Sequence, residues 1–76
     1  MNIHDAAKSG HPFFHKDMIG AYKFVNGKLI HRDNIYDYRS SDDVLDKLCA
    51  GFEDLAWMTP DDLLRDDWEI VVFQDN

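Results

Sequence analysis

The chain has 76 residues, a formal net charge of −7 at pH 7 and a hydrophobic fraction of 45%. These values argue against disorder and predict one small domain over residues 1–76, which would bury only about 60% of the surface that the unfolded chain exposes. The single cysteine, Cys49, excludes an intrachain disulfide and a zinc site made of cysteines. Nothing resembles a signal peptide or a membrane span, so a cytoplasmic protein is expected.

Charge is distributed unevenly along the chain. Residues 1–39 carry six Lys or Arg against four Asp, a balance of +2, whereas residues 40–76 carry two against eleven acids, a balance of −9. This segregation predicts a basic face for an anionic ligand, complementary faces for self-association, or two solvated faces of unequal charge. The acidic half argues against direct, nonspecific nucleic-acid binding.

The N-terminal residues 2–9 predict a short amphipathic helix. Three apolar residues share one face of it: Ile3, Ala6 and Ala7. Gly10 is expected to end the helix, because glycine readily adopts the left-handed conformation that follows many helices. Residues 11–16 then predict a first strand, with Pro12 at its start, where a missing backbone donor is tolerated.

Two histidines in this predicted strand are four residues apart, at His11 and His15. In an extended chain that spacing separates them by roughly 13 Å, which is too far for both to bind one metal ion. No metal site is therefore expected here.

The clearest local signal is Asn26-Gly27 between two apolar-rich runs, residues 22–25 and 28–31. This dipeptide favours a two-residue turn and predicts a β-hairpin in which Val25 pairs with Lys28. Because side chains alternate across a strand, one face then carries Tyr22, Phe24, Leu29 and His31. The opposite face carries Ala21, Lys23, Val25, Lys28, Ile30 and Arg32. The first face is the expected core face, and the second is expected to meet solvent or a ligand.

The middle of the chain predicts a strand and a helix. A further strand is possible over residues 34–38, and a helix is predicted over about residues 41–51. Ser40 and Asp43 approximate a capping box at the start of that helix. Its apolar residues recur at helical spacing and would face the core: Val44, Leu45, Leu48, Cys49 and Phe52.

The C-terminal part predicts a short helix followed by a strand. Thr59 is a typical N-cap and Pro60 a typical first helical residue, so a helix is expected over residues 59–66. From Trp68 the apolar period changes to two, which predicts a final strand. The expected core residues are Trp68, Ile70, Leu63, Leu45, Leu48 and Phe24.

These elements together predict an α+β domain. Its small antiparallel sheet would have a central hairpin, accompanied by an N-terminal helix, a mid-chain helix and a short helix before the last strand. The sequence contains no Gly-rich phosphate loop, nucleophile elbow or His-Glu-x-x-His motif, and its paired carboxylates have structural explanations. We therefore expect no catalysis, no catalytic residues and no cofactor.

The first half of the chain combines cations with aromatic residues, as a nucleotide site requires. Cations bind phosphate, and aromatic faces stack on a base. On the predicted hairpin, Lys23 and Arg32 share a face as diagonal neighbours, roughly 7–8 Å apart at the backbone. The candidate ligand-binding residues are Phe14, Lys16, Tyr22, Lys23, Arg32 and Trp57. The alternative is that the aromatic residues form the core and the cations form a solvated surface.

The C-terminal stretch also carries a family resemblance. The residues that match are Trp57, Thr59, Asp62, Leu63, Leu64, Asp67, Trp68 and Glu69. Their pattern resembles the C-terminal signature of small phage proteins that act as sponges for nucleotide immune signals, the Thoeris anti-defence type. Residues 3–10 are similar to the short N-terminal helix of that family. The resemblance implies a non-enzymatic protein that sequesters a cyclic nucleotide or an ADP-ribose derivative in the host cytoplasm.

A chain of this size offers little room for a deep pocket of its own. We therefore expect a homo-oligomer with its ligand site near a subunit interface. A different class of function starts from the acidic half, which could engage a basic groove on a host enzyme. The protein would then be an acidic protein–protein inhibitor or a nucleic-acid mimic. The two hypotheses predict opposite active faces.

Self-association, as a symmetric dimer or a dimer of dimers, is the first testable expectation. If the basic half of one copy contacts the acidic half of another, added salt should weaken the assembly, because exposed charges are screened beyond about 10 Å at 0.1 M ionic strength. Sedimentation velocity at micromolar concentration, in low and in high salt, measures this. A single 8.9 kDa species under both conditions would contradict the expectation.

Overall fold

One antiparallel sheet with short helices forms the α+β fold. The structure is a computed structural model, and it describes residues 1–39, 42–49 and 58–74. The helices are α1 (Ile3–Lys8), a 3₁₀ helix (Ile35–Arg39), α2 (Asp42–Cys49) and α3 (Pro60–Leu64), and the strands are β1 (Phe13–Phe14), β2 (Ala21–Val25), β3 (Lys28–Arg32) and β4 (Glu69–Ile70). The strand order is β3-β2-β1-β4, with every neighbouring pair antiparallel, so the predicted fold class is confirmed. Within the described ranges, no helix is long and apolar enough to cross a membrane.

The helix α1 has the predicted amphipathic face. Its first turn is capped by Asn2, whose side-chain oxygen accepts a hydrogen bond from the backbone N–H of Asp5 at 2.8 Å. Ala6 is fully buried, while Ile3 and Ala7 are half-buried beside it. The apolar side of α1 therefore covers one face of the sheet.

The hairpin of β2 and β3 has the predicted register. Val25 lies opposite Lys28, and Ala21 lies opposite Arg32 at the other end. Asn26 and Gly27 make the turn with φ values of 50° and 78°. Both values are in the left-handed region, where Asn and Gly are the residues that meet the smallest steric cost.

Both faces of the sheet are covered, which corrects the expectation of a single core face. One face buries Phe13, Tyr22 and Trp68 against α1. The other face, expected to meet solvent or a ligand, buries an apolar cluster instead: Ala21, Val25, Ile30, Tyr38 and Leu45. Period-two alternation shows which residues share a face, but it does not show that a second layer of helices covers the other side.

Phe24 also departs from its predicted place in the core. It lies two residues before the turn and is 48% exposed, with its ring centroid 6.1 Å from that of Phe13. Residues near a hairpin turn lie at the end of the sheet, where fewer neighbours cover them. Sharing a face with buried residues therefore does not bury this side chain.

The predicted strand over residues 34–38 is a 3₁₀ helix, which corrects that expectation. Asn34 begins it, because its backbone carbonyl accepts from Asp37 N–H at 3.1 Å and its side chain accepts from Tyr36 N–H at 3.0 Å. The helix places the buried Tyr38 over the hairpin. There the tyrosine hydroxyl lies 2.8 Å from the carbonyl oxygen of Ala21, to which it donates.

The helix α3 is shorter and more exposed than predicted. Thr59 caps it as expected, in a reciprocal capping box with Asp62. However, Leu63 is 51% exposed and Leu64 is 83% exposed, so the prediction that Leu63 lies in the core is wrong. The helix is instead attached through hydrogen bonds at Asp62, whose carbonyl accepts from the Trp68 indole N–H at 3.0 Å.

Other core predictions have mixed outcomes. Trp68 and Leu45 are buried, at 1% and 0% exposure, and Ile70 is half-buried in a β4 that is shorter than predicted. The side chain of Leu48 and the expected capping residue Ser40 lie outside the described residues.

Replacing Trp68 with Ala should destabilise the fold by about 3–5 kcal/mol, the usual cost of truncating a buried aromatic residue. Leu64→Ala is the control, and its exposed side chain should change the unfolding free energy by less than about 0.5 kcal/mol. Urea denaturation followed by circular dichroism measures both values. Equal costs for the two variants would contradict the observed burial.

Candidate ligand-binding cleft

An apolar cleft of about 560 Å³ opens beside β1 and β4. It is lined only by apolar residues and one glycine: Phe14, Met18, Gly20, Ile35, Ile70, Val71 and Val72. These residues come from β1, the following loop, the 3₁₀ helix and the C-terminal strand region. The volume lies within the range of about 300–1,000 Å³ that small-molecule sites occupy.

The C-terminal wall of the cleft continues β4 by one residue. Phe13 lies opposite Ile70, and the N–H of Val71 then donates to the carbonyl of Pro12 at 2.8 Å. This hydrogen bond holds the chain beyond β4 alongside β1. Val72 follows with 56% exposure and therefore forms the solvent-facing part of this wall.

The opposite wall is the loop of residues 15–20, which we call the wall loop. Met18 N–H donates to the carbonyl of His15 at 3.2 Å and so closes a turn at the start of the loop. At its end, Gly20 has a φ of 75° and packs directly against the backbone of Arg32 and Asp33. A Cβ on Gly20 would lie only 2.7 Å from Asp33 Cα, so this close approach requires glycine.

Three of the predicted ligand-binding residues lie on the same face of the sheet. Phe14 is half-buried and lines the cleft. Lys23 and Arg32 occupy the same face of the hairpin, as the predicted register requires, and both are half-exposed. Arg32 is next to the cleft through its backbone, which contacts Gly20, and its Nη1 donates to the carbonyl of His31 at 3.1 Å.

Two of the other predicted residues, Lys16 and Tyr22, are not part of this arrangement. Lys16 is exposed on the wall loop and does not line the cleft. Tyr22 is only 7% exposed and packs among aromatic rings of the core, with ring centroids 6.0 Å from Phe13 and 6.2 Å from Trp68. Because this burial encloses its ring, the prediction that Tyr22 stacks on a ligand is corrected. Trp57 lies outside the described residues.

Burial also changes the ionisation of Tyr22. Desolvation raises the pKa of its hydroxyl, and the negative charge of Asp62 raises it further. A buried tyrosine with a raised pKa stays neutral at physiological pH. It is therefore a core residue whose phenol carries no charge to a ligand.

A partly buried histidine–aspartate pair, which no pattern in the sequence indicates, connects the wall loop to α3. His15 is 4% exposed, and its Nε2 lies 2.9 Å from Oδ1 of Asp62. Its Nδ1 accepts a hydrogen bond from the backbone N–H of Asp17 at 3.2 Å. Because Nδ1 is an acceptor, Nε2 carries the proton and donates it to the carboxylate. The two partners are 47 positions apart in the chain, so no local sequence pattern connects them.

The geometry of this pair gives it a structural role. Both ring nitrogens of His15 have protein partners, and the ring packs edge-on against Trp68 with centroids 4.8 Å apart. A general base needs a nitrogen within reach of a substrate proton. In this conformation His15 presents neither nitrogen to a ligand.

Arg65 attaches the wall loop to the segment before β4. Its guanidinium donates two hydrogen bonds to Asp67, from Nε at 2.7 Å and from Nη2 at 2.6 Å, and Nη2 also lies 2.8 Å from Oδ2 of Asp17. These hydrogen bonds are the main reason that the pKa of Asp67 is lowered to about 2, with a smaller contribution from the charge of Lys16. The wall loop is thus fixed by both His15 and Arg65 near its start.

Neither a metal-binding group among the described residues nor a similarity to known proteins indicates a function for this chain. Within the described residues, no three or more His, Cys, Asp or Glu side chains form a group that could hold a metal ion. Comparison with protein-family models, curated proteins and solved structures gives no significant match. The cleft and the charges around it are therefore the basis for inferring a function.

Acid should weaken the connection between the wall loop and α3. The pKa of Asp62 is lowered, first by the backbone N–H of Thr59 and then by His15, so its ionised form stabilises the folded state. This stabilisation is complete above the ordinary aspartate pKa of about 3.9 and is lost as the pH falls through the lower value of the folded state. Asp62→Asn keeps an acceptor oxygen but removes the negative charge, and should cost about 1 kcal/mol of unfolding free energy at pH 7. The difference from the wild type should shrink below about pH 4.

Asp61→Asn is the matched control, because Asp61 is an exposed residue in the same helical turn. Urea denaturation between pH 3 and pH 7 measures all three proteins. A difference between wild type and Asp62→Asn that is constant over this range would contradict the assignment.

Proposed function

We propose that this protein binds and sequesters a small anionic nucleotide-type ligand without transforming it. The apolar cleft beside Phe14 is the observation that carries the proposal. The ligand class, a cyclic nucleotide or an ADP-ribose derivative, rests on the resemblance to phage proteins that act as sponges for nucleotide immune signals. The proposed setting is the cytoplasm of the infected host.

The cleft supports the part of this proposal that concerns the base. Its walls are apolar, and Phe14 provides an aromatic ring among them. Stacking of a base on an aromatic side chain contributes about 1–3 kcal/mol in nucleic-acid complexes. A planar base in the cleft would also remove apolar wall surface from water, which favours binding.

The end of β3 supports the part that concerns phosphate. The backbone of Arg32 contacts Gly20, a lining residue of the cleft. A guanidinium can bind phosphate through two parallel N–H···O hydrogen bonds, which lysine cannot do. Lys23 shares the hairpin face with Arg32 as a diagonal neighbour, so a second phosphate would meet a second cation.

The proposal that binding is non-catalytic rests on the use of the histidine–aspartate pair. Both nitrogens of His15 have partners within the fold, and the Asp62 carboxylate also accepts from the backbone N–H of Thr59 in the capping box of α3. The pair that would be the natural acid–base candidate is therefore occupied by structural hydrogen bonds. A ligand in the cleft would then be bound and released unchanged.

We also propose that the cleft is completed by another copy of the chain. Val72 leaves more than half of its surface exposed at the cleft, so one subunit covers a ligand only in part. Sites that hold drug-sized molecules tightly usually bury 70–90% of the ligand surface. A homo-oligomer with the site near a subunit interface would provide the missing cover.

The exposed surface of α3 favours a second candidate function. Leu63 and Leu64 are exposed there beside the exposed acids Asp61 and Asp66. An apolar centre with an acidic rim is a suitable surface for a basic groove on another protein. The protein would then act as an acidic protein–protein inhibitor, with α3 as its contact surface.

Calorimetry against ADP-ribose, cyclic ADP-ribose and cyclic AMP tests the lead proposal. The wild type should bind at least one of them. Val72→Glu should weaken this binding at least about tenfold, because it adds a carboxylate to an apolar wall facing an anion. Leu64→Glu is the matched control, since it makes the same kind of change at an exposed site that does not line the cleft. It should bind like the wild type.

Arg32→Ala tests, in the same calorimetry experiment, whether Arg32 binds the phosphate of the ligand. Loss of a hydrogen-bonded charged contact should weaken binding by about 1.5–3 kcal/mol, or about 10- to 150-fold. Thermal unfolding should change little, because a half-exposed arginine adds little to stability. No heat with any of the three ligands would argue against the lead proposal. Equal loss in Val72→Glu and Leu64→Glu would show that the cleft is not the site.

A further inference from the structure

We infer that His31 is a positioning residue that fixes the wall loop and thereby sets the width of the cleft. Its influence on a ligand rests on the function proposed above, whereas its hold on the loop can be tested without any ligand. His31 does not line the cleft. It acts through the carbonyl of Ile19, which lies between the lining residues Met18 and Gly20.

The hydrogen bond from His31 to the loop has a defined donor. Nε2 of His31 lies 2.8 Å from the carbonyl oxygen of Ile19. A carbonyl can only accept, so Nε2 must carry a proton in this arrangement. The imidazole is held in place by Tyr22, whose ring centroid is 5.1 Å away, and its Nδ1 lies 3.7 Å from Oδ1 of Asp33. The core residue Tyr22 thus orients the His31 ring, and the His31 ring holds the wall loop through Ile19.

The hydrogen bond from His31 holds the wall loop at Ile19, between two positions that pack against the fold: Met18 on the core cluster and Gly20 on the backbone of Arg32. Ile19 is 77% exposed, so burial of its side chain contributes little to the loop conformation. Near the start of the loop, His15 and Arg65 fix Asp17. The hydrogen bond from His31 is the corresponding attachment near the end, and Met18 reaches the cleft between the two.

The position of the loop also affects the proposed phosphate site. Gly20 packs against the backbone of Arg32 and Asp33, and His31 precedes Arg32 on β3. The wall loop, which lines the cleft, is therefore packed against the end of β3, which carries Arg32. Without the Nε2–H donor, the exposed Ile19 carbonyl can turn to water at low cost in stability, but the wall is no longer fixed.

The ligand-free test is amide hydrogen exchange by NMR. In His31→Ala, exchange at Met18, whose N–H bonds to the His15 carbonyl, should accelerate at least about tenfold, because the loop opens locally. Exchange at Lys23 and Ile30 in the hairpin should stay unchanged, as it would not if the whole fold were destabilised. His31→Gln retains an N–H donor of similar reach and should restore slow exchange.

His4→Ala is the control, because His4 is an exposed histidine on α1 that does not line the cleft. Met18 exchange in His31→Ala that equals the control would overturn the inference. Acceleration in His31→Gln as large as in His31→Ala would also overturn it, since ring packing on Tyr22 would then be responsible instead of the Nε2–H donor.

Calorimetry with ADP-ribose as the probe tests the effect on the cleft. His31→Ala should weaken ADP-ribose binding by about 2- to 10-fold, the value of one hydrogen bond, and His31→Gln should recover most of the loss. Unchanged affinity in His31→Ala would overturn the effect on the cleft. If the wild type binds neither ADP-ribose nor the other two nucleotides, the proposed function fails, and the exchange experiment still decides the role of His31.

Discussion

The buried indole of Trp68 is the contact on which the rest of the structure depends. Its N–H donates to the carbonyl of Asp62 and holds the end of α3, while its backbone N–H donates to the carbonyl of Met1 at 2.9 Å. Its ring meets Phe13 at 65° and His15 at 81°, both in edge-to-face arrangements. Through its side chain Trp68 joins α3, β1 and the start of the wall loop, and through its backbone it holds the N-terminus. The cleft lies between elements that this residue keeps together.

How much of the fold the sequence predicts depends on how local each interaction is. The turn at Asn26-Gly27 sets the hairpin register, and the cap at Thr59 begins α3, because both depend on neighbouring residues only. The apolar character of Leu63 predicts a core position, but its 51% exposure is decided by what packs against α3. Residues 34–38 also depend on a distant contact. Tyr38 donates a hydrogen bond to Ala21 on the hairpin from a 3₁₀ helix, where the local sequence predicts a strand.

The candidate site divides in the same way. Alternation along the hairpin correctly places Lys23 and Arg32 on one face, because the period of a strand is a property of its backbone. It does not reveal that a helical layer covers this face, nor that Tyr22 is enclosed by other rings on the opposite one. Phe14, Ile35 and Val72 all line the cleft, and no spacing in the sequence indicates that these three residues come together.

The pairing of β1 with β4 determines when the cleft can form. The hairpin joins residues that are close in the chain, whereas Phe13 meets Ile70 only after the ends of a long segment have come together. Loop-closure entropy makes such distant pairing slow to form, and two-residue strands hold it with few hydrogen bonds. The local pairing of the hairpin is therefore expected to form before the pairing that closes the cleft. We expect the cleft to assemble late and to open early, and any molecule bound there would stabilise the closure of the chain by mass action.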